Sequence, residues 1–159
     1  NGTTFTVLVP YEDASVSSIK NKIEEKDQAL DLEEGLSILV VEDNLINQKV
    51  IKALLRKLDL VAEYANDGLE ALEALSYKDF DIIFMDMKMP NMGGVEATRK
   101  IRNDKLGNDP YIIALTANAY DDDRIECLDA GMDAFLSKPV NIDAIKGELI
   151  KLQMKAKAA

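Results

Sequence analysis

A doubly wound α/β domain, with helices on both faces of a five-stranded parallel sheet, is what residues 36–155 of this 159-residue sequence predict. Two observations lead there. Short apolar runs alternate with stretches of helical period, five times in about 120 residues and with short links. Nearly every apolar run also ends in, or is followed by, a polar side chain capable of chemistry, which puts those groups on one edge of such a sheet.

The elements follow in order. Ser37–Glu42 is a continuous apolar run closed by a carboxylate, the pattern of a buried parallel strand. Ile46, Val50, Ala53, Leu54 and Leu58 then follow a helical period, with Asp43 or Asn44 placed to cap the start. Val61–Ala65 is the second strand, and Gly68–Leu75 the second helix with Leu69, Leu72 and Leu75 expected inward. Asp81–Asp86 is the third strand; a loop with Pro90, Gly93 and Gly94 leads to a helix over Val95–Arg102. Tyr111–Thr116 is the fourth strand, and Asp122–Ala130 a helix ended by Gly131. Ala134–Phe135–Leu136–Ser137 is the fifth strand, and Asn141 caps a last helix that runs to about Met154, leaving 156–159 as a tail.

Composition narrows the function. The net charge of −10 argues against binding a phosphate backbone, which needs a basic face. No histidine is present, so His-based triads, His metal sites and phosphohistidine chemistry by this chain alone are excluded. No apolar run is long enough to span a bilayer, so no membrane contact is expected of this segment. The lone Cys127 cannot form an internal disulfide and suits a reducing, cytoplasmic setting.

The strand ends carry Glu42, Asp43, Asp86 and Thr116, with Lys138 just past the fifth strand. Clustered carboxylates repel: a pair about 4 Å apart costs roughly 4 kcal/mol at an effective dielectric near 20. Such a cluster calls for a cation, and carboxylate, carbonyl and water oxygens are the ligands Mg²⁺ prefers. An ammonium and a hydroxyl beside one carboxylate add the charge neutraliser and oxygen clamp that phosphoryl transfer to that carboxylate needs. Singly, these residues mean little. Asp43 alone would be a helix cap, Thr116 alone a solvated strand residue, and Phe135 alone a core side chain; their joint occurrence carries the reading.

Val40-Val41-Glu42-Asp43-Asn44, the run from Met85-Asp86 to Gly93-Gly94, Leu115-Thr116-Ala117 and Phe135-Leu136-Ser137-Lys138-Pro139 together resemble the response-regulator receiver family, over roughly three quarters of the chain. The resemblance implies a flavodoxin-like (βα)5 fold with strand order 2-1-3-4-5. It implies that Asp86 is the phosphoacceptor, that Asp43 and Asp86 bind Mg²⁺ directly with the backbone carbonyl of Lys88, and that Glu42 acts mostly through water. Thr116 and Lys138 would hold phosphoryl oxygens. Phe135 stands at the family's switch-aromatic position, where many members carry Tyr, so a switch here would rest on packing without a phenolic hydrogen bond. Lys88 and Asn118 stand where the family tunes dephosphorylation.

Residues 1–10 alternate Phe5, Val7 and Val9 with Thr4, Thr6 and Leu8 before Pro10, a strand pattern that resembles the closing strand of histidine-kinase ATP-binding domains. Residues 11–35 are charged, with Val16, Ile19, Ile23 and Leu30 near helical spacing behind a Ser15 cap, and are expected to be a partly helical linker. The chain starts without Met and is expected to be cut from a longer protein, a hybrid sensor histidine kinase whose parent can be membrane-anchored. Its partners would be a histidine kinase core, in cis or in trans, and a histidine phosphotransfer protein. Two alternatives stand beside this. A stand-alone receiver would act as a phosphorylation-dependent binding switch. A Mg²⁺-dependent phosphatase would use the same aspartyl chemistry, but it usually carries an acid two residues after its nucleophile, where this chain has Lys88.

Overall fold

Among the described residues, five strands and five helices alternate along the chain. The computed structural model describes residues 35–117 and 121–158, so the expectations for residues 1–34 and for Asn118 lie outside the described residues. The order is β1 (Ile38–Val41), α1 (Leu45–Arg56), β2 (Ala62–Ala65), α2 (Gly68–Tyr77), β3 (Ile82–Asp86), α3 (Gly94–Asn103), β4 (Tyr111–Thr116), α4 (Asp121–Ala130), β5 (Ala134–Ser137) and α5 (Ile142–Ala158). All strands pair in parallel, in the order β2-β1-β3-β4-β5. This is the flavodoxin-like arrangement the sequence predicts. Each parallel pair requires a crossover, and the one favoured hand of crossovers places helices on both faces.

The three inner strands are apolar on both faces because both faces are covered. Leu39, Val41, Ile83, Met85, Ile112 and Ala114 point to one side, into a cluster with Ala71, Ala74 and Leu75 of α2, Ala97 and Ile101 of α3, and Cys127 of α4. The alternate residues Ile38, Val40, Ile82, Phe84, Ile113 and Leu115 are equally buried, as are Ile51 and Leu55 of α1 and Ile145 and Leu149 of α5. Strand alternation assigns the strand residues among these to the opposite face. Each such side chain contributes about 1.5–3 kcal/mol by leaving water.

Local signals set the helix ends. Asn44, in an extended conformation, accepts hydrogen bonds from the Ile46 and Asn47 backbone N–H groups at 2.8 and 3.4 Å. Asn141 Oδ1 accepts one from Ala144 N–H at 2.9 Å and opens α5. Gly131, at φ +95°, closes α4. Its N–H donates to the Leu128 carbonyl, and the Met132 N–H to the Cys127 carbonyl, the paired bonds of a left-handed C-terminal cap.

The structure refines the sequence reading in α1 and corrects it in two other places. In α1 the buried residues are Ile51 and Leu55, whereas Ile46 is 71% and Val50 45% exposed. Two apolar stripes run along this helix, and the period alone does not say which one meets the sheet. In α2 Leu69 is exposed, and Gly68, Ala71, Ala74 and Leu75 face inward. Small residues are needed there because α2 packs closely on α3: a Cβ on Gly68 would lie 2.8 Å from the Ala97 Cβ. The last helix continues to Ala158, past the expected end at Met154.

Candidate metal and phosphoryl-acceptor site

Every strand-end group named from the sequence that is described lies at the carboxyl edge of the sheet. Glu42 follows β1, and its N–H donates to the Ala65 carbonyl of β2, so the chain stays in the sheet for one more residue and buries the side chain completely. Asp43 is next and exposed. Asp86 closes β3 and is only 7% exposed. Carboxylate oxygens of Glu42, Asp43 and Asp86 all lie within 4.8 Å of one another.

Lys138 reaches into this group from the loop after β5. Its backbone N–H donates to the Thr116 carbonyl at 2.7 Å, fixing the start of the side chain. Its ammonium then lies 2.6 Å from Glu42 Oε2 and 2.8 Å from Asp86 Oδ2. The other Asp86 oxygen, Oδ1, accepts from the Lys88 backbone N–H at 3.3 Å. Lys88 itself is exposed, and Thr116 is buried at the end of β4. Phe135 in β5 is half-buried against the core cluster, with the Arg124 guanidinium 5.0 Å from its ring centre.

Two side chains that hold Glu42, those of Asn47 and Gln48, were not singled out from the sequence. Asn47 Nδ2 donates to Glu42 Oε1 at 2.8 Å, and the Asn44 N–H donates to the same oxygen at 3.3 Å. Gln48 Nε2 donates to the Glu42 carbonyl at 2.7 Å and to Asn66 Oδ1 at 3.1 Å. The available signal was position: amides in the first turn of a helix that starts just after the strand can reach back to its last residues.

Burial pushes the Asp86 carboxyl above the ordinary carboxylate range, and the neighbouring Glu42 adds to this; the Lys138 bond and charge and the Lys88 N–H only partly offset it. Burial works against the Lys138 ammonium as well, but its contacts with Asp86 and Glu42 outweigh that and hold its pKa above the usual lysine value. Three carboxylates against one ammonium leave two negative charges unmatched, the charge of one divalent cation. All donors are oxygens, so the residues present fit Mg²⁺.

A stability prediction follows from the sign of the Asp86 shift. A carboxyl whose pKa is raised on folding favours the fold while protonated, and that contribution is lost as pH rises through the folded pKa. Without Mg²⁺ at neutral pH, Asp86→Asn is therefore expected to be more stable than wild type. The gap should close as pH falls toward and below 3.8, the ordinary value, where both states of wild type are protonated. Urea midpoints of both proteins across pH check this; a variant less stable than wild type at neutral pH would contradict it.

A parallel α/β sheet whose carboxyl edge gathers three carboxylates, two of them bridged by a lysine, fits a phosphoacceptor pocket with room for a divalent cation. Residues 38–150 match the model of the response regulator receiver domain. The chain belongs to that family and is a receiver domain of two-component signalling. It is 38% identical over 150 residues to the autoinducer 2 sensor kinase/phosphatase LuxQ of Vibrio vulnificus, covering 94% of this chain and 17% of that protein. The chain thus spans about a sixth of the length of the curated relative it matches. Among solved structures, the receiver domain of the sensor histidine kinase PA1611 of Pseudomonas aeruginosa PAO1 is 42% identical with a TM-score of 0.68, over 74% of this chain and 97% of that one. That crystal structure has a magnesium ion coordinated in its active-site cleft. The receiver domain of the Saccharomyces cerevisiae response regulator Ssk1, crystallised with the histidine phosphotransfer protein Ypd1, is 31% identical with a TM-score of 0.67, over 72% and 86% of the two chains. Among the described residues of the present chain, no helix is long and apolar enough to cross a membrane.

Proposed function

We propose that Asp86 accepts a phosphoryl group from a phosphohistidine and passes it to a histidine phosphotransfer protein, as the receiver of a hybrid sensor histidine kinase. The observation that carries this reading is the Lys138 ammonium bridging the two buried carboxylates Asp86 and Glu42, with Asp43 at hand. In the transfer, an Asp86 carboxylate oxygen attacks phosphorus. The bond from phosphorus to the donor imidazole nitrogen breaks, and an acyl phosphate forms while the imidazole leaves neutral after gaining a proton. Run in reverse with a second histidine, the same step hands the group on.

Each neighbour has a part. When bound, Mg²⁺ would supply charge neutralisation; Asp43, Asp86 and the Lys88 carbonyl would hold it, with Glu42 as a further carboxylate beside it. Lys138 is a fixed positive charge for a phosphoryl oxygen, and Thr116 a hydroxyl donor for another. Once Lys138 turns to the phosphoryl group, Glu42 and Asp86 lose part of their ion pair, which ties occupancy of the site to the position of the loop after β5. Phe135 is the packing element of that switch, and Lys88 and Asn118 tune hydrolysis. Likeness to LuxQ and to the PA1611 receiver supports the kinase context, and the Ssk1–Ypd1 complex supports a phosphotransfer partner. In this reading the domain follows a kinase ATP-binding domain in its parent protein and works in the cytoplasm.

Intact mass after incubation with acetyl phosphate and Mg²⁺ tests the acceptor. Wild type should gain about 80 Da, only with Mg²⁺, and Asp86→Asn should gain nothing. Folded wild type that neither gains mass nor binds beryllofluoride would remove this reading.

A further inference from the structure

Asp67 is a buried carboxylate that the chemistry above does not use. It caps α2, with Oδ1 accepting from the Glu70 N–H at 2.9 Å. A cap needs one oxygen, and the second is aimed elsewhere: Asp67 Oδ2 accepts from Asn91 Nδ2 at 2.6 Å. Asn91 sits in the loop between Asp86 and α3, in the left-handed region at φ +58°. One residue along from each partner, the Gly68 N–H donates to the Met92 carbonyl at 3.0 Å. The fit is so close that a Cβ on Gly68 would lie 2.7 Å from Met92 Cγ and 2.9 Å from the Met92 oxygen. The start of α2 therefore grips the middle of the loop through one side-chain bond and one backbone bond.

That loop carries Lys88. Among the described residues its remaining backbone–backbone bonds are the Met87 N–H to the Leu115 carbonyl, the Met92 N–H to the Pro90 carbonyl and the Gly94 N–H to the Met87 carbonyl. None of them uses the Lys88 carbonyl. We infer that Asp67 and Asn91 are positioning residues for metal binding, a clamp that fixes the loop so that the Lys88 carbonyl faces the Glu42–Asp43–Asp86 group. This rests on the Mg²⁺ reading above. Without the clamp, binding has to order the loop as well as fill the site, and affinity falls by that cost.

Two variants separate the clamp from helix capping and backbone strain. Asp67→Ser keeps a good N-cap but is too short to reach Asn91. Asn91→Gly removes the amide while suiting the positive φ. Titration calorimetry with MgCl₂ on the full chain should show each variant binding about 10-fold more weakly, as is usual for groups that orient metal ligands. The double variant should be no weaker than the weaker single one, because both remove the same bond. Ile145→Val, which loosens the packing of the buried α5 residue Ile145, should leave Mg²⁺ affinity unchanged although it lowers the melting temperature. Wild-type binding with both single variants within about twofold of it, or additive losses in the double variant, would overturn the clamp alone. Mg²⁺ binding absent from folded wild type would overturn the metal reading and the clamp with it.

Discussion

Replacing Lys138 with Met is expected to cost about 3 kcal/mol of stability without Mg²⁺ at neutral pH, and to reduce phosphoryl uptake from acetyl phosphate by two orders of magnitude or so. The side chains of Glu42 and Asp86 are 1% and 9% exposed, and one ammonium lies within 2.8 Å of both. Met keeps the length and the apolar stem but removes the charge, so two carboxylates are left facing each other out of water. Losing one partner of a buried ion pair is costly because of the charge left behind. The same argument sets the pH dependence. Lys138 has its pKa raised in the fold, so its contribution is present at neutral pH and is lost as pH rises through that folded value, above 10.5. Two companion measurements test the cause. Adding Asp86→Asn to Lys138→Met should restore much of the loss, because one of the stranded charges is gone. Mg²⁺ should stabilise Lys138→Met more than it stabilises wild type, since it replaces a missing cation. Urea denaturation with and without MgCl₂ reads all of these. A loss under about 0.5 kcal/mol would mean that the lysine is a solvated bystander.

Gly94→Ala is expected to destabilise the domain by about 3 kcal/mol, for a reason unrelated to backbone freedom. Gly94 is the first residue of α3 and crosses directly over the end of β3. A methyl there would overlap the Asp86 carbonyl oxygen and lie 2.8 Å from Met85 Cγ. The Asp86 backbone cannot yield, because β3 is held between β1 and β4 with Asp86 in register with Leu115. The start of α3 must therefore move away, loosening Ala97 and Ile101, or else the acceptor itself must shift. Two other glycines give the contrast. A methyl on Gly93 meets only the Met87 carbonyl oxygen, at 3.1 Å, and Gly93→Ala should cost about 1 kcal/mol or less. A methyl on Gly147, within α5, meets nothing within 4 Å, and Gly147→Ala should stabilise by about 0.5–1 kcal/mol through helix propensity. Thermal and urea melts of the three variants rank them. A tolerant Gly94→Ala would show that the helix start gives way more easily than its packing implies.

Much of the fold and the site could be read in the chain itself. Five apolar runs at regular spacing determined the number of strands, and their alternation with helical stretches determined that the sheet is parallel. The strand-end rule placed Glu42, Asp43, Asp86, Thr116 and Lys138 on one edge, and the structure brings the three carboxylates within 4.8 Å of one another, with Lys138 bridging Glu42 and Asp86. The caps at Asn44 and Asn141 and the stop at Gly131 were equally legible, because each depends on a few adjacent residues.

What the sequence left open depended on partners distant along the chain. Periodicity shows that α1 has apolar residues in helical register, but only the sheet decides that Ile51 and Leu55 go inward while Leu45, Ile46 and Val50 stay exposed. The inward face of α2 is small, rather than built on Leu69, because Met92 and Ala97 press against Gly68. The hold of Asp67 on Asn91 requires loops from separate βα units to meet. The sequence by itself determined which groups stand at the carboxyl edge, since strand direction and the two-residue repeat are local properties. Tertiary structure decided how those groups are aimed and charged, since hydrogen-bond partners, close packing and desolvation exist only once the chain has closed on itself.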